Sequence, residues 1–191
     1  MAASKKRVGV LALQGDFEAH VKALERAGAD VVEVRAAGQL DGIDALVLPG
    51  GESTTMLKLL DRENLFEPLR AFGAAKPIFG TCAGAILLAN IVSGPTQRSL
   101  GLMDMSLERN GYGRQVDSRI ARLSVEGLNG DPLEAVFIRA PIIRSVANGV
   151  RVLAHLDGQP VLVEQGRHMA ATFHPELTAD LRLHKFFLDK L

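Results

Sequence analysis

The feature that most limits what this chain can fold into is the character of its short apolar runs. Residues 8–13, 31–34, 45–48 and 77–79 are brief, rich in Val, Leu and Ile, and closed by Gly, Pro or polar residues. Runs that are apolar at nearly every position, instead of every second one, belong to strands covered on both faces. Between the first two runs, Phe17, His20, Val21 and Leu24 recur at helical spacing, and Gly28 stands where such a helix would end. After Pro49-Gly50-Gly51, Ser53-Thr54 is placed to cap a helix through Leu60; further helical stretches cover residues 65–72 and 85–91. Strands alternating with helices imply a parallel sheet with helices on both sides.

The second half reads differently. Runs at 120–125, 136–138, 150–156, 161–163 and 169–173 follow closely, several separated by Gly or Asn turns, which predicts partly antiparallel pairing. Leu181, His184, Phe187, Leu188 and Leu191 share one face of a closing helix. The expected architecture is α/β: a three-layer sandwich with a mostly parallel central sheet flanked by helices, plus antiparallel strands in the second half. A length of 191 residues suits one domain over 1–191 with a sizeable core.

Composition removes several function classes. Lys plus Arg and Asp plus Glu are equal at 22 each, which leaves no electrostatic footprint for nucleic acid or an anionic membrane. The apolar runs are far too short to span a bilayer, and the basic start leads into a strand without a signal-peptide core, so a cytoplasmic protein is expected. One cysteine can form neither an internal disulfide nor a multi-thiolate metal site. No metal and no cofactor are expected.

By composition alone, a lone cysteine is more often a small buried hydrophobe than a reactive group. Its surroundings shift that balance. Gly80-Thr81-Cys82-Ala83-Gly84 lies between a buried strand and an apolar helix, with a glycine two residues to either side. That is the spacing of a nucleophile elbow, in which larger flanking side chains would collide at the sharp strand-to-helix turn. The helix N-terminus favours the thiolate, and the Ala83 N–H points where an oxyanion would form. Taken alone, the motif is equally compatible with a glycine-rich turn holding an inert thiol.

Of five histidines, His20 and His184 fall on helix faces as packing or surface residues, and His155 and His168 sit in strand-like runs without an evident polar partner. His174 differs. It follows an apolar run and is held in His174-Pro175-Glu176, where an extended chain would point residues i and i+2 the same way. A carboxylate there fixes the imidazole tautomer and supports the imidazolium. Nucleophile, base and orienter are then all present: Cys82, His174 and Glu176. Gly50-Gly51 after the third strand can supply a second oxyanion donor, the Gly51 N–H opposite that of Ala83. The Gly-Lys-Ser/Thr ending of a phosphate-binding loop is absent.

Cysteine elbow, glycine loop and distal His-x-Glu together resemble the class I, triad-type glutamine amidotransferases. Leu11-Ala12-Leu13-Gln14-Gly15, Gly50-Gly51-Glu52-Ser53-Thr54-Thr55-Met56, Glu108-Arg109-Asn110, Gly113-Arg114-Gln115-Val116-Asp117-Ser118, Phe137-Ile138-Arg139-Ala140-Pro141 and the stretch from Thr172 to Thr178 are similar to the glutaminase subunits of pyridoxal 5′-phosphate synthase. The resemblance implies hydrolysis of L-glutamine to glutamate and ammonia. It assigns substrate binding to Gly51, Glu52, Ser53, Arg109, Ile138 and Arg139. It also implies a synthase partner, a (β/α)8-barrel assembled as a dodecamer, which consumes the ammonia. Because an unaccompanied glutaminase would waste glutamine, docking is expected to raise activity by adjusting the Gly50-Gly51 peptide. Competing readings are a glutaminase of another pathway such as imidazole glycerol phosphate synthesis, a catalytically silent docking subunit, and a cysteine peptidase of similar fold.

Overall fold

The computed structural model describes residues 5–111 and 118–191. In chain order its elements are β1 (Arg7–Leu11), α1 (Phe17–Ala27), β2 (Asp30–Val34), β3 (Ala45–Leu48), α2 (Ser53–Arg62), α3 (Phe66–Ala75), β4 (Ile78–Thr81) and α4 (Ala83–Leu88). There follow β5 (Ala89–Ser93), β6 (Met103–Glu108), β7 (Arg119–Leu123), β8 (Leu133–Phe137), β9 (Ile142–Val146), β10 (Arg151–Leu156), β11 (Gln159–Gln165), β12 (His168–Ala171) and α5 (Arg182–Leu188).

Seven strands form the main sheet in the order β10-β11-β12-β4-β3-β1-β2. The five from β12 to β2 are parallel, whereas β10 and β11 pair antiparallel at the other end. Alternate side chains of each strand serve opposite cores. Val8, Val10, Ala45 and Val47 pack with Leu24 of α1, Leu183 and Phe187 of α5, and the β7–β8 ribbon. Leu11, Leu46 and Leu48 pack on the other side with α2, α3, α4 and a second sheet, β5-β6-β9. Each fully buried Leu or Phe stabilises the fold by about 1.5–3 kcal/mol. Strands without a polar face therefore demand both layers, and the three-layer α/β sandwich follows.

Three local expectations are corrected. The apolar helix of residues 85–91 ends at Leu88. From Ala89, whose ψ is 148°, the chain is extended and pairs with β6. An unbroken apolar run carries no period that separates helix from strand, so tertiary pairing decides. Helix α2 is capped by the Glu52 carboxylate, which accepts from the N–H groups of Thr54 and Thr55, and not by Ser53 or Thr54. Strands β6 and β9 were not expected, although Met103, Met105 and Leu107 alternate with polar residues along β6. Of the motif Gly113–Ser118, all but Ser118 lies outside the described residues.

Because β12, β4, β3 and β1 are parallel neighbours, their carboxyl ends lie along one edge. The loops leaving them carry His174, Cys82, Gly50-Gly51 and Gln14-Gly15 in turn. Crevices at this edge are where open α/β sheets bind ligands.

Candidate active site

Cys82 occupies the turn between β4 and α4 with φ 49° and ψ −106°. A non-glycine residue in this region carries strain of about 1–3 kcal/mol, held only because its surroundings fix it. The fixing contacts are local. The Cys82 N–H donates to Ala171 O of β12 at 2.8 Å. A Cβ on Gly84 would lie 2.0 Å from Leu48 O, and one on Gly80 would lie 2.5 Å from Gly84 O. Only glycine at both positions lets α4 start against β3. The N–H of Ala83 opens α4, where the first turn of a helix has no intrahelical acceptor.

His174 follows β12, and its N–H donates to Val136 O of β8 at 2.8 Å. Glu176 reaches it through a turn. Residues Pro175–Leu177 form a 3-10 helix instead of the extended segment expected, and this brings Glu176 Oε1 to 2.7 Å from His174 Nδ1. The pair is buried, with the imidazole also hydrogen bonded to Cys82. Nδ1 being engaged by Glu176, Nε2 is left for the sulfur. Burial alone would lower the His174 pKa, but the bonds and charges of Cys82 and Glu176 outweigh it and push it up to about 10. Burial raises the pKa of Glu176 from the usual carboxylate range. An imidazolium held between two acceptors is ready to give up a proton only when a better acceptor arrives.

The Gly50-Gly51 loop packs tightly beneath this ring. A Cβ on Gly50 would lie 2.4 Å from His174 Cε1, and Gly50 O accepts from Asp16 N–H at 3.2 Å. Gln14 Oε1 accepts the Glu52 N–H at 3.1 Å and lies against Gly51. The Glu52 carboxylate is desolvated in part, which favours its neutral form, yet the Thr55 hydroxyl and the N–H groups of Thr54 and Thr55 hold its pKa down at about 2. Arg109 donates to Thr54 Oγ1 at 2.8 Å and lies 3.5 Å from Glu52 Oε1. Ser53 Oγ donates to Gln97 Oε1 at 3.0 Å.

These groups line a cleft of about 370 Å³. Cys82, His174, Gly51, Glu52, Ser53, Arg109, Ile138 and Arg139 all contribute to its wall. Glu176 stands behind His174, and Ala83 is not part of the lining. Sequence reasoning did not single out Asp16 or Ile86, and it quoted Gln14 and Asn110 only as parts of motifs. Asp16 Oδ2 is 3.6 Å from His174 Nδ1, a second carboxylate at the ring. His168, read without a partner, accepts the Ile78 N–H at Nδ1.

Fold and site together define a class: an α/β protein with a strained cysteine elbow at the carboxyl edge of its sheet, bonded to a buried His–Glu pair. The chain belongs to the SNO glutamine amidotransferase family, whose model matches residues 10–191, and it is a glutamine amidotransferase. It is 61% identical to pyridoxal 5′-phosphate synthase subunit PdxT of Solibacter usitatus, over 97% of this chain and all of the relative. The PdxT of Koribacter versatilis is 57% identical over 95% of this chain and 94% of its own length. A solved structure described as a glutamine amidotransferase is 49% identical with a TM-score of 0.88, covering 96% of this chain and 97% of that one. PurLQS from Thermotoga maritima shares the fold at 19% identity and a TM-score of 0.72, covering 97% of this chain and 99% of that one.

Proposed function

We propose that the chain, acting as one domain, hydrolyses L-glutamine to L-glutamate and ammonia through a Cys82 thioester, and that the ammonia serves pyridoxal 5′-phosphate synthesis. The reading is carried by the hydrogen-bonded line Cys82–His174–Glu176 at the floor of a cleft sized for an amino acid. Cys82 thiolate attacks the side-chain amide carbon, and the oxyanion is held by the N–H groups of Ala83 and Gly51. Collapse breaks the C–N bond as the His174 imidazolium passes its proton to the departing ammonia. Neutral His174 then takes a proton from water, whose oxygen attacks the thioester carbonyl. The second collapse releases glutamate and restores thiolate and imidazolium. Glu176 keeps the ring oriented throughout.

Arg109 is suited to the substrate's α-carboxylate, and the anionic Glu52 beside it to the α-ammonium. Ser53, Ile138 and Arg139 complete the grip on the amino acid. The relatives carry the name of a synthase subunit, which supports a synthase partner. We take that partner to be a dodecameric (β/α)8-barrel whose docking raises activity by turning the Gly50-Gly51 peptide. A cytoplasmic location fits this role, and among the described residues no helix is long and apolar enough to cross a membrane. The test is glutaminase turnover of the purified chain with and without the synthase, beside Cys82→Ala. The reading requires loss of turnover in Cys82→Ala and stimulation by the partner. A fully active Cys82→Ala sinks the mechanism, and equal rates sink the activation.

A further inference from the structure

A second polar cluster lies immediately behind the triad, and the reaction as described leaves it without a role. His20 of α1 and His184 of α5 are both fully buried. His20 Nε2 is 3.0 Å from Thr81 Oγ1 of β4 and 3.2 Å from Glu176 Oε2. His20 Nδ1 is 3.1 Å from His184 Nε2, and the two rings meet edge to face with centroids 5.4 Å apart. Among the described residues, Glu176 Oε2 has no well-aligned hydrogen-bond donor, and His184 Nδ1 has no partner.

The protons can be assigned by elimination. Burial, reinforced by the charges of His184 and His174, holds the His20 pKa well below its ordinary value, so the ring is neutral. A neutral imidazole has one N–H and one bare nitrogen. The carboxylate of Glu176 can only accept, so the N–H of His20 is at Nε2, shared between Thr81 and Glu176. Nδ1 of His20 is then bare and needs a donor, which places the His184 proton on Nε2. The remaining nitrogen, His184 Nδ1, is a lone acceptor. The opposite assignment would face two lone pairs across 3.1 Å and leave a buried N–H unpaired at His184, the costlier defect.

We propose that His20 is a positioning residue of the glutaminase: its Nε2–H holds Glu176 Oε2, so that Oε1 stays aimed at His174 Nδ1, and His184 fixes the tautomer that allows this. The proposal rests on Cys82–His174–Glu176 being the triad. The line then runs from the sulfur through His174, Glu176 and His20 to His184. Without His20 the outer carboxylate oxygen would be buried with no donor near it. Glu176 would turn away or take up a proton, and a protonated Glu176 supports an imidazolium poorly.

The test uses the full chain with its synthase partner and three variants at position 20. His20→Leu removes the donor. Glutamine places an amide nitrogen where Nε2 sits, whereas asparagine places it where Nδ1 sits. His20→Leu and His20→Asn should lose roughly tenfold to a hundredfold in kcat, the range typical for the outer partner of a catalytic histidine, with KM little changed. In both, the acid limb of the kcat/KM profile should move to higher pH, since a carboxylate stripped of a donor protonates more readily. His20→Gln should restore kcat and the limb. Among the described residues, the charged and titratable groups facing this cluster are His184 from α5, His174, and Asp16 at the head of α1. All are retained in the three variants. Wild-type kcat and acid limb in His20→Leu, or identical behaviour of the Gln and Asn variants, would overturn the proposal. Cys82→Ala run in parallel separates the two levels. Activity surviving there removes the triad itself, while an inactive Cys82→Ala beside a normal His20→Leu removes only the role of His20.

Discussion

A single methyl group at position 50 tests how closely the position of His174 sets the rate. Gly50 does not have a positive φ, so alanine can take up its backbone conformation without strain. The added Cβ would lie 2.4 Å from His174 Cε1, where ordinary contact begins at 3.4 Å, so ring or loop must yield by about 1 Å. The ring has little freedom to yield. Its backbone N–H is bonded to Val136 O at 2.8 Å, and Nδ1 to Glu176 at 2.7 Å. A misplacement of about 1 Å at a catalytic group costs around a hundredfold in rate, or about 2.7 kcal/mol of barrier. Gly50→Ala should therefore lose about two orders of magnitude in kcat/KM for glutamine. Alkylation of Cys82 by iodoacetamide near pH 7 should slow as well, because a displaced imidazolium supports the thiolate less. That second readout is independent of the oxyanion donors, so it separates a displaced His174 from a disturbed Gly51 N–H. Wild-type turnover and wild-type alkylation would refute the reasoning.

Gly84→Ala places a Cβ 2.0 Å from Leu48 O, a backbone atom that cannot swing aside, so the variant should lose about 3 kcal/mol or fail to fold. Gly38→Ala, with open space around its Cβ, should leave the thermal midpoint unchanged; equal melting of the two would defeat the packing account. Acid should destabilise the fold through His20 and His184, whose pKa values burial lowers. Burial lowers the His184 pKa from 6.5 to about 4, so the unfolded chain binds the proton more readily than the folded one. The contribution is fully present above pH 6.5 and is lost as the pH falls through about 4, amounting to about 3 kcal/mol. Urea unfolding at pH 7 and pH 4.5 should show the loss, and His184→Leu should reduce it. A variant as acid-sensitive as the wild type would count against this origin.

What could be read from the sequence was what is local in the chain. The elbow spans five consecutive residues, Gly80 to Gly84, and His174 and Glu176 are two apart, so local spacing marks them as candidates when the two motifs are taken together. Strands β1, β3 and β4 are apolar on both faces along nearly their whole length and announce the parallel sheet. What escaped was decided by distant partners. The end of α4 at Leu88 depends on β5 finding β6, and nothing in an unbroken apolar run marks the change. His20 and His184 stand 164 positions apart and meet only because α1 and α5 pack on the same face of the sheet. The Glu52 cap escaped for another reason: glutamate is an uncommon choice beside Ser and Thr, and its reach to two N–H groups is visible only in three dimensions.

The placement of β12 has a consequence for the newborn chain. This strand, the last of the sheet to be made, lies in the interior between β4 and β11, and the residue after Phe173 is His174, the proposed base. Ribosomes add roughly 5–20 residues per second and domains begin folding from the amino end, so the cysteine emerges several seconds ahead of its histidine. During that interval β4 presents an unpaired edge, and the Cys82 N–H lacks the carbonyl of Ala171 that later receives it. The carbonyl that holds the strained elbow therefore reaches it only once β12 has been made. An amino-terminal fragment that stops short of β12 lacks His174 and Glu176, and the interval of open edge is when a chaperone would be of most use to the chain.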